Sequence, residues 1–170
     1  MNKKFSILMI ALVLSVFLPG NDSFGQFIPN APFKTANPRT PDFSLKDLQG
    51  KVYKLSSQRG KPVVIFFGTT WCPSCRIELP LFKEIYETYT RRGLDVVYVN
   101  IMETKEKVAR FAKTNSLPFR VLLDADGEVA NSYEVIGVPT LILIDKEGKI
   151  IKISHRTADL PLPKLFPIKK

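Results

Sequence analysis

The stretch Pro62-Val63-Val64-Ile65-Phe66-Phe67-Gly68-Thr69-Thr70-Trp71-Cys72-Pro73-Ser74-Cys75 reads as a buried strand running into the start of a helix. Val63–Phe67 is continuously apolar, rich in β-branched and aromatic residues, and suits a strand covered on both faces. A helix is expected from Pro73 to about Thr90, with Gly93 just beyond it. Pro73 takes a first helical position, where its missing N–H costs nothing. Cys72 therefore stands at the helix N-terminus, where unpaired amide groups and the macrodipole favour an anion and should lower the thiol pKa. Residues three apart on a helix have Cα atoms roughly 5 Å apart, within disulfide range.

Cys72 and Cys75 are the only cysteines in the chain. Exported domains stapled by disulfides usually carry more, spread along the sequence. A bridge over so short a loop removes little unfolded-state entropy. The pair is thus suited to chemistry: Cys72 is expected to attack a partner's disulfide, and Cys75 to resolve the mixed disulfide. Two inert buried cysteines, or half a zinc site, are the alternatives. Zinc normally needs four ligands, and His155, the one histidine, is far along the chain and reads as a surface residue beyond the last strand.

On a wheel of about 100° per residue, Leu79, Phe82, Ile85, Tyr86 and Tyr89 fall within about 80° of Cys75. That stripe faces a core, so Cys75 is expected to be buried and Cys72 accessible. Glu78 is the only acidic residue on the stripe, one turn from Cys75. A carboxylate in apolar surroundings has a raised pKa and could take the Cys75 proton as that thiol attacks. The alternative is that Pro80 kinks the helix and turns Glu78 to water.

Further elements follow on either side. Phe43–Leu45 and Val52–Leu55 flank a turn at Asp47–Gly50, a hairpin pattern. Leu94–Ile101 is a second buried strand, Lys105–Thr114 an amphipathic helix, Val121–Leu123 a short strand and Gly127–Tyr133 a short helix. Thr140–Asp145 and Lys149–Ser154 form a hairpin over Lys146-Glu147-Gly148. Strands separated by helices imply parallel pairing, and the hairpins add antiparallel pairs. Beyond the last strand Pro161, Pro163 and Pro167 interrupt Leu160, Leu162, Leu165 and Phe166, which argues against a regular terminal helix.

The N-terminus has the layout of a secretory signal: Lys3 and Lys4, an apolar run of 14 residues from Phe5 to Leu18, then Pro19, Gly20 and polar residues. The run is short of the roughly 20 residues of a spanning helix. Cleavage is expected before Gln26, and an uncleaved N-terminal anchor is the alternative. The expected organisation is a signal over 1–25, a Pro-rich arm over 26–41, one domain over 42–156 and a proline-broken tail over 157–170. The 170 residues are 45% hydrophobic and 24% charged, a globular composition with enough chain for one core. The formal charge is +9, becoming +8 after loss of Lys3, Lys4 and Asp22. The basic residues are scattered along the sequence, and with export this argues against nucleic acid as a partner.

These features resemble the thioredoxin superfamily, and more closely its exported thiol–disulfide interchange proteins of the TlpA/ResA type. The resemblance runs from Phe43 to Ser154. It rests on Phe66–Cys75, Glu78, Pro80, Leu122-Leu123-Asp124-Ala125-Asp126-Gly127, and Gly137-Val138-Pro139-Thr140 leading into Leu141–Asp145 and Gly148. It implies an α/β thioredoxin-like fold, a central mixed sheet flanked by helices with an added N-terminal hairpin. It implies that Pro139 is a cis-proline facing the cysteines and that Val138 pairs with the partner's chain. Trp71 and Pro73, flanking Cys72, are assigned to the same partner-binding surface, and Glu78 to assisting the thiols. No cofactor beyond the Cys72–Cys75 disulfide is implied. The implied partners are cysteine-containing extracytoplasmic proteins, with cytochrome c maturation as one setting, and a membrane thiol reductant.

Two departures stand out. Phe66 replaces the buried aspartate of cytosolic thioredoxins, leaving Glu78 as the only nearby acid expected. The family's terminal helix is replaced by the tail, so a partner subunit, the arm or the tail itself must cover one sheet face. Two other activities are alternatives: a peroxiredoxin-like thiol peroxidase, from Thr69-x-x-Cys72, which lacks the upstream proline because Ile65 stands there; and a copper chaperone of thioredoxin fold, which wants one more residue between the cysteines and a liganding histidine, where His155 has no obvious liganding context.

Overall fold

The computed structural model describes residues 40–167. The expected signal and most of the Pro-rich arm lie outside the described residues.

A seven-stranded sheet runs in the order β2-β1-β5-β4-β3-β6-β7. Its strands are β1 (Ser44–Asp47), β2 (Val52–Lys54), β3 (Val63–Gly68), β4 (Asp95–Ile101), β5 (Arg120–Asp124), β6 (Thr140–Ile144) and β7 (Ile150–Ser154). β3, β4 and β5 are parallel, while β6 and β7 are antiparallel on one side and β1 and β2 on the other. The helices are α1 (Pro73–Tyr89), α2 (Lys105–Thr114), α3 (Glu128–Ser132) and the single turn α4 (Leu162–Leu165). This is the α/β mixed sheet with an N-terminal hairpin that the resemblance implied.

Alternation along the central strands divides their apolar runs between two cores. Val64, Phe66, Val96, Tyr98, Leu141 and Leu143 join Cys75, Leu79, Phe82 and Ile85 of α1 and Val108 and Phe111 of α2. Val63, Ile65, Phe67, Val97, Val99, Ile142 and Ile144 join Val129 and Ala130 of α3 and Phe43, Tyr53 and Leu55 of the hairpin. Phe66, in the place of the thioredoxin aspartate, is fully buried and meets Phe82 edge-on at 5.0 Å and Tyr98 stacked at 5.2 Å. An aromatic floor thus replaces a buried acid.

The tail covers the α1 side of the sheet. Thr157–Asp159 makes a 3₁₀ turn, Leu160 and Leu162 enter the α1 core, and Phe166 packs on Tyr89. Prolines limit the helix to one turn, yet the buried leucines supply the cover that a longer helix would give. At the other end, Thr40 is buried and its N–H and hydroxyl donate to the Gly148 carbonyl, while the Tyr133 hydroxyl donates to Pro41.

Candidate active site

Parallel β3 ends at Gly68, and the loop Thr69–Trp71 delivers the chain to the N-terminus of α1. Cys72 is the cap of that helix, and its Sγ accepts the N–H of Cys75 at 3.1 Å. An amide aimed at the sulfur is what favours a thiolate there. Cys72 and Cys75 are joined as a disulfide with Cα atoms 5.3 Å apart.

The expected difference in access is smaller than the wheel implied. Cys75 is fully buried, but Cys72 is also only 4% exposed. The reason lies in another part of the chain: the loop before β6 folds over the sulfur, and the Val138 carbonyl stands 3.6 Å from Cys72 Sγ. The Val138–Pro139 bond is cis, as the resemblance implied. The surfaces around the pair are apolar and open: Trp71, Ile77 and Ile136 are exposed, Ile136 almost completely.

Glu78 is half-buried, neither sealed in the core nor turned out to water. Its Oε2 accepts the N–H of Thr157 at 2.7 Å, tying α1 to the segment after β7. The setting expected to be apolar thus contains a hydrogen-bond donor. Glu78 lines a groove of about 420 Å³ with Ser74, Ile77, Val138, Pro139 and His155. A larger cavity, about 570 Å³, lies at the far end of α1 and gathers Lys51, Lys54, Lys61 and Arg120, cations that look scattered in the sequence.

Two residues near the site escape a reading by sequence. Glu103, just past β4, has a side chain only 4% exposed. It accepts the Thr70 N–H and hydroxyl and the Asn100 amide, and pairs with Lys107 at 2.7 Å. Arg76 meanwhile donates to the Thr70 carbonyl, so the loop before Cys72 is held from both sides. Glu78 is therefore not the only acid near the cysteines. The one available signal is register: Gly68 pairs with Asn100, which brings the ends of β3 and β4 together. His155 is exposed beyond β7 as expected, but its Nδ1 lies 2.7 Å from the Pro139 carbonyl oxygen.

Residues 37–153 match the AhpC/TSA family. The thiol-disulfide oxidoreductase ResA of Geobacillus thermodenitrificans (strain NG80-2) is 35% identical over 155 residues, 90% of this chain and 89% of that protein. The chain belongs to the AhpC/TSA family and, within it, to the thiol-disulfide oxidoreductases. Solved structures agree. The thioredoxin domain of a thiol-disulfide oxidoreductase from Bacteroides vulgatus superposes with a TM-score of 0.68 at 27% identity, covering 75% of this chain and 93% of that one. A secreted Mycobacterium tuberculosis disulfide oxidoreductase gives a TM-score of 0.61 at 26% identity, covering 72% and 90%. The CxxC-spaced pair of this oxidoreductase sits where a parallel strand meets a helix, in the thioredoxin-like fold.

Proposed function

We propose that this oxidoreductase works as a reductant of disulfides in exported proteins, with Cys72 as the attacking sulfur. The observation that carries the reading is the Cys72–Cys75 disulfide at the start of α1, with the Cys75 amide on the Cys72 sulfur and the cis-Pro139 loop across from it. In the reduced protein the Cys72 thiolate attacks a partner's disulfide. One partner sulfur leaves as a thiolate and takes up a proton, and Cys72 is joined to the other. Cys75 then loses its proton to Glu78 and attacks Cys72 Sγ, which releases the second partner thiolate and restores the Cys72–Cys75 disulfide. Two electrons pass from the cysteine pair to the partner, and a dithiol donor of the membrane returns them. The two sulfurs balance the reaction without a further cofactor.

Exposed Trp71 and Pro73 and half-buried Val138 form the surface on which the partner's chain lies, with Pro139 buried beneath it and the exposed apolar side chains of Ile77 and Ile136 in support. The direction is argued from Pro73-Ser74, which offers no histidine or cation to hold the thiolate; strongly stabilised thiolates make oxidants. An extracytoplasmic location rests on the N-terminal signal pattern and on likeness to a secreted relative. Delivery of reduced cysteines for cytochrome c maturation is the setting that the TlpA/ResA resemblance supports.

Trapping tests this. With Cys75→Ser, Cys72 should remain bound to its partner as a mixed disulfide, identifiable by mass spectrometry. The reading fails if Cys72→Ser traps equally well, or if neither variant traps. The measured potential should lie nearer the roughly −270 mV of thioredoxin than the roughly −120 mV of a strong oxidase.

A further inference from the structure

His155 follows β7 directly and is exposed, yet one edge of its ring is committed. Nδ1 lies 2.7 Å from the Pro139 carbonyl oxygen and 3.5 Å from Thr140 Oγ1. A carbonyl oxygen can only accept, so the hydrogen of the shorter contact belongs to Nδ1. Thr140 Oγ1 gives its own hydrogen to the Gly137 carbonyl at 2.6 Å. The two side chains thus hold the loop at both ends, Thr140 at residue 137 and His155 at residue 139. Between them the Val138 carbonyl faces Cys72 Sγ at 3.6 Å. The ring also lines the groove that Ser74, Ile77 and Glu78 share with the loop.

We propose that His155 is a positioning residue for the exchange reaction: its Nδ1–H holds the Pro139 carbonyl and so sets the backbone of residues 137–139 against which the partner's chain is laid opposite Cys72. The assignment rests on the reading of Cys72 as the attacking sulfur. It predicts a selective effect. A polypeptide disulfide must align with the loop before it can react, whereas a small disulfide needs only the sulfur.

The test compares two capture rates in the Cys75→Ser protein, one for a disulfide-bonded peptide and one for a small aromatic disulfide. Their ratio cancels changes in the intrinsic reactivity of Cys72. His155→Ala should lower the ratio about 5- to 10-fold, the size of one hydrogen bond lost. His155→Asn can place an amide N–H where Nδ1–H stood and should return the ratio to within about twofold. An unchanged ratio in His155→Ala would overturn the proposal, as would an Asn variant as impaired as the Ala one. If the Cys75→Ser protein captures neither disulfide, the reading of Cys72 itself has failed, and this assignment falls with it.

Discussion

The carboxylate of Glu103 accepts both donors of Thr70, the backbone N–H at 2.6 Å and the hydroxyl at 2.7 Å. The contact joins the end of β4 to the loop that presents Trp71 and Cys72. Burial works to raise the Glu103 carboxyl, but donors from Lys107, Thr70 and Asn100 outweigh it and hold it at about 2, below an ordinary 4.5.

A carboxyl lowered by folding stabilises the native state above its unfolded value, and that contribution is lost as pH falls through the folded one. The native protein should therefore lose part of its stability between pH 4.5 and about 2. Glu103→Gln should lack this component and unfold about 1–3 kcal/mol more easily at neutral pH. Denaturant titrations across the pH range check both statements; parallel curves for the two proteins would contradict them.

Glu78→Gln keeps an acceptor for the Thr157 N–H but cannot take up a proton. Stability should change by less than about 1 kcal/mol, while release of reduced partner from the mixed disulfide slows about 100-fold. Stopped-flow measurement of release decides, and an unaltered rate removes Glu78 from the reaction.

Gly68 ends β3 against Tyr98. A Cβ there would meet the Tyr98 hydroxyl at 2.6 Å and the Phe66 ring at 3.0 Å. Both rings are fully buried in the aromatic floor and have little room to move. Gly68→Ala should cost about 1–3 kcal/mol in thermal or denaturant unfolding. A neutral substitution would mean that the floor yields more readily than its packing implies.

Leu160 is 5% exposed and lies in the core beneath α1, although it belongs to the proline-broken tail. Leu160→Ala should lower unfolding free energy by about 2–4 kcal/mol, as for an interior leucine. An effect under about 0.5 kcal/mol would show that the tail only rests on the sheet.

The regular elements were legible because each rests on a local pattern. Lys105–Thr114 shows one apolar face at helical spacing, and the helix occupies those residues. The apolar runs at Val63–Gly68 and Asp95–Ile101 are strands whose alternate side chains feed separate cores. Leu79, Phe82 and Ile85 are buried with Cys75, as the wheel at about 100° per residue requires. The burial of Cys72 is not legible in a helix wheel, which describes only what the helix does to its own residues. The covering group comes from Val138, 66 positions away.

The sequence by itself determined the cysteine pair, its place at a helix start after a buried strand, and the order of strands and helices. Neighbours along the chain are enough to establish those features. Only the tertiary structure decided what surrounds the sulfurs. Strand pairing brings Glu103 to Thr70 across 33 positions, and the pairing of β6 with β7 brings His155 to Pro139 across 16. Backbone hydrogen bonds set these strand registers over the whole sheet, so the contacts exist only once the sheet has formed. In the proposed function Cys72 and Cys75 carry the chemistry, and both are placed by local sequence. The loop that shields Cys72 is brought there by the fold.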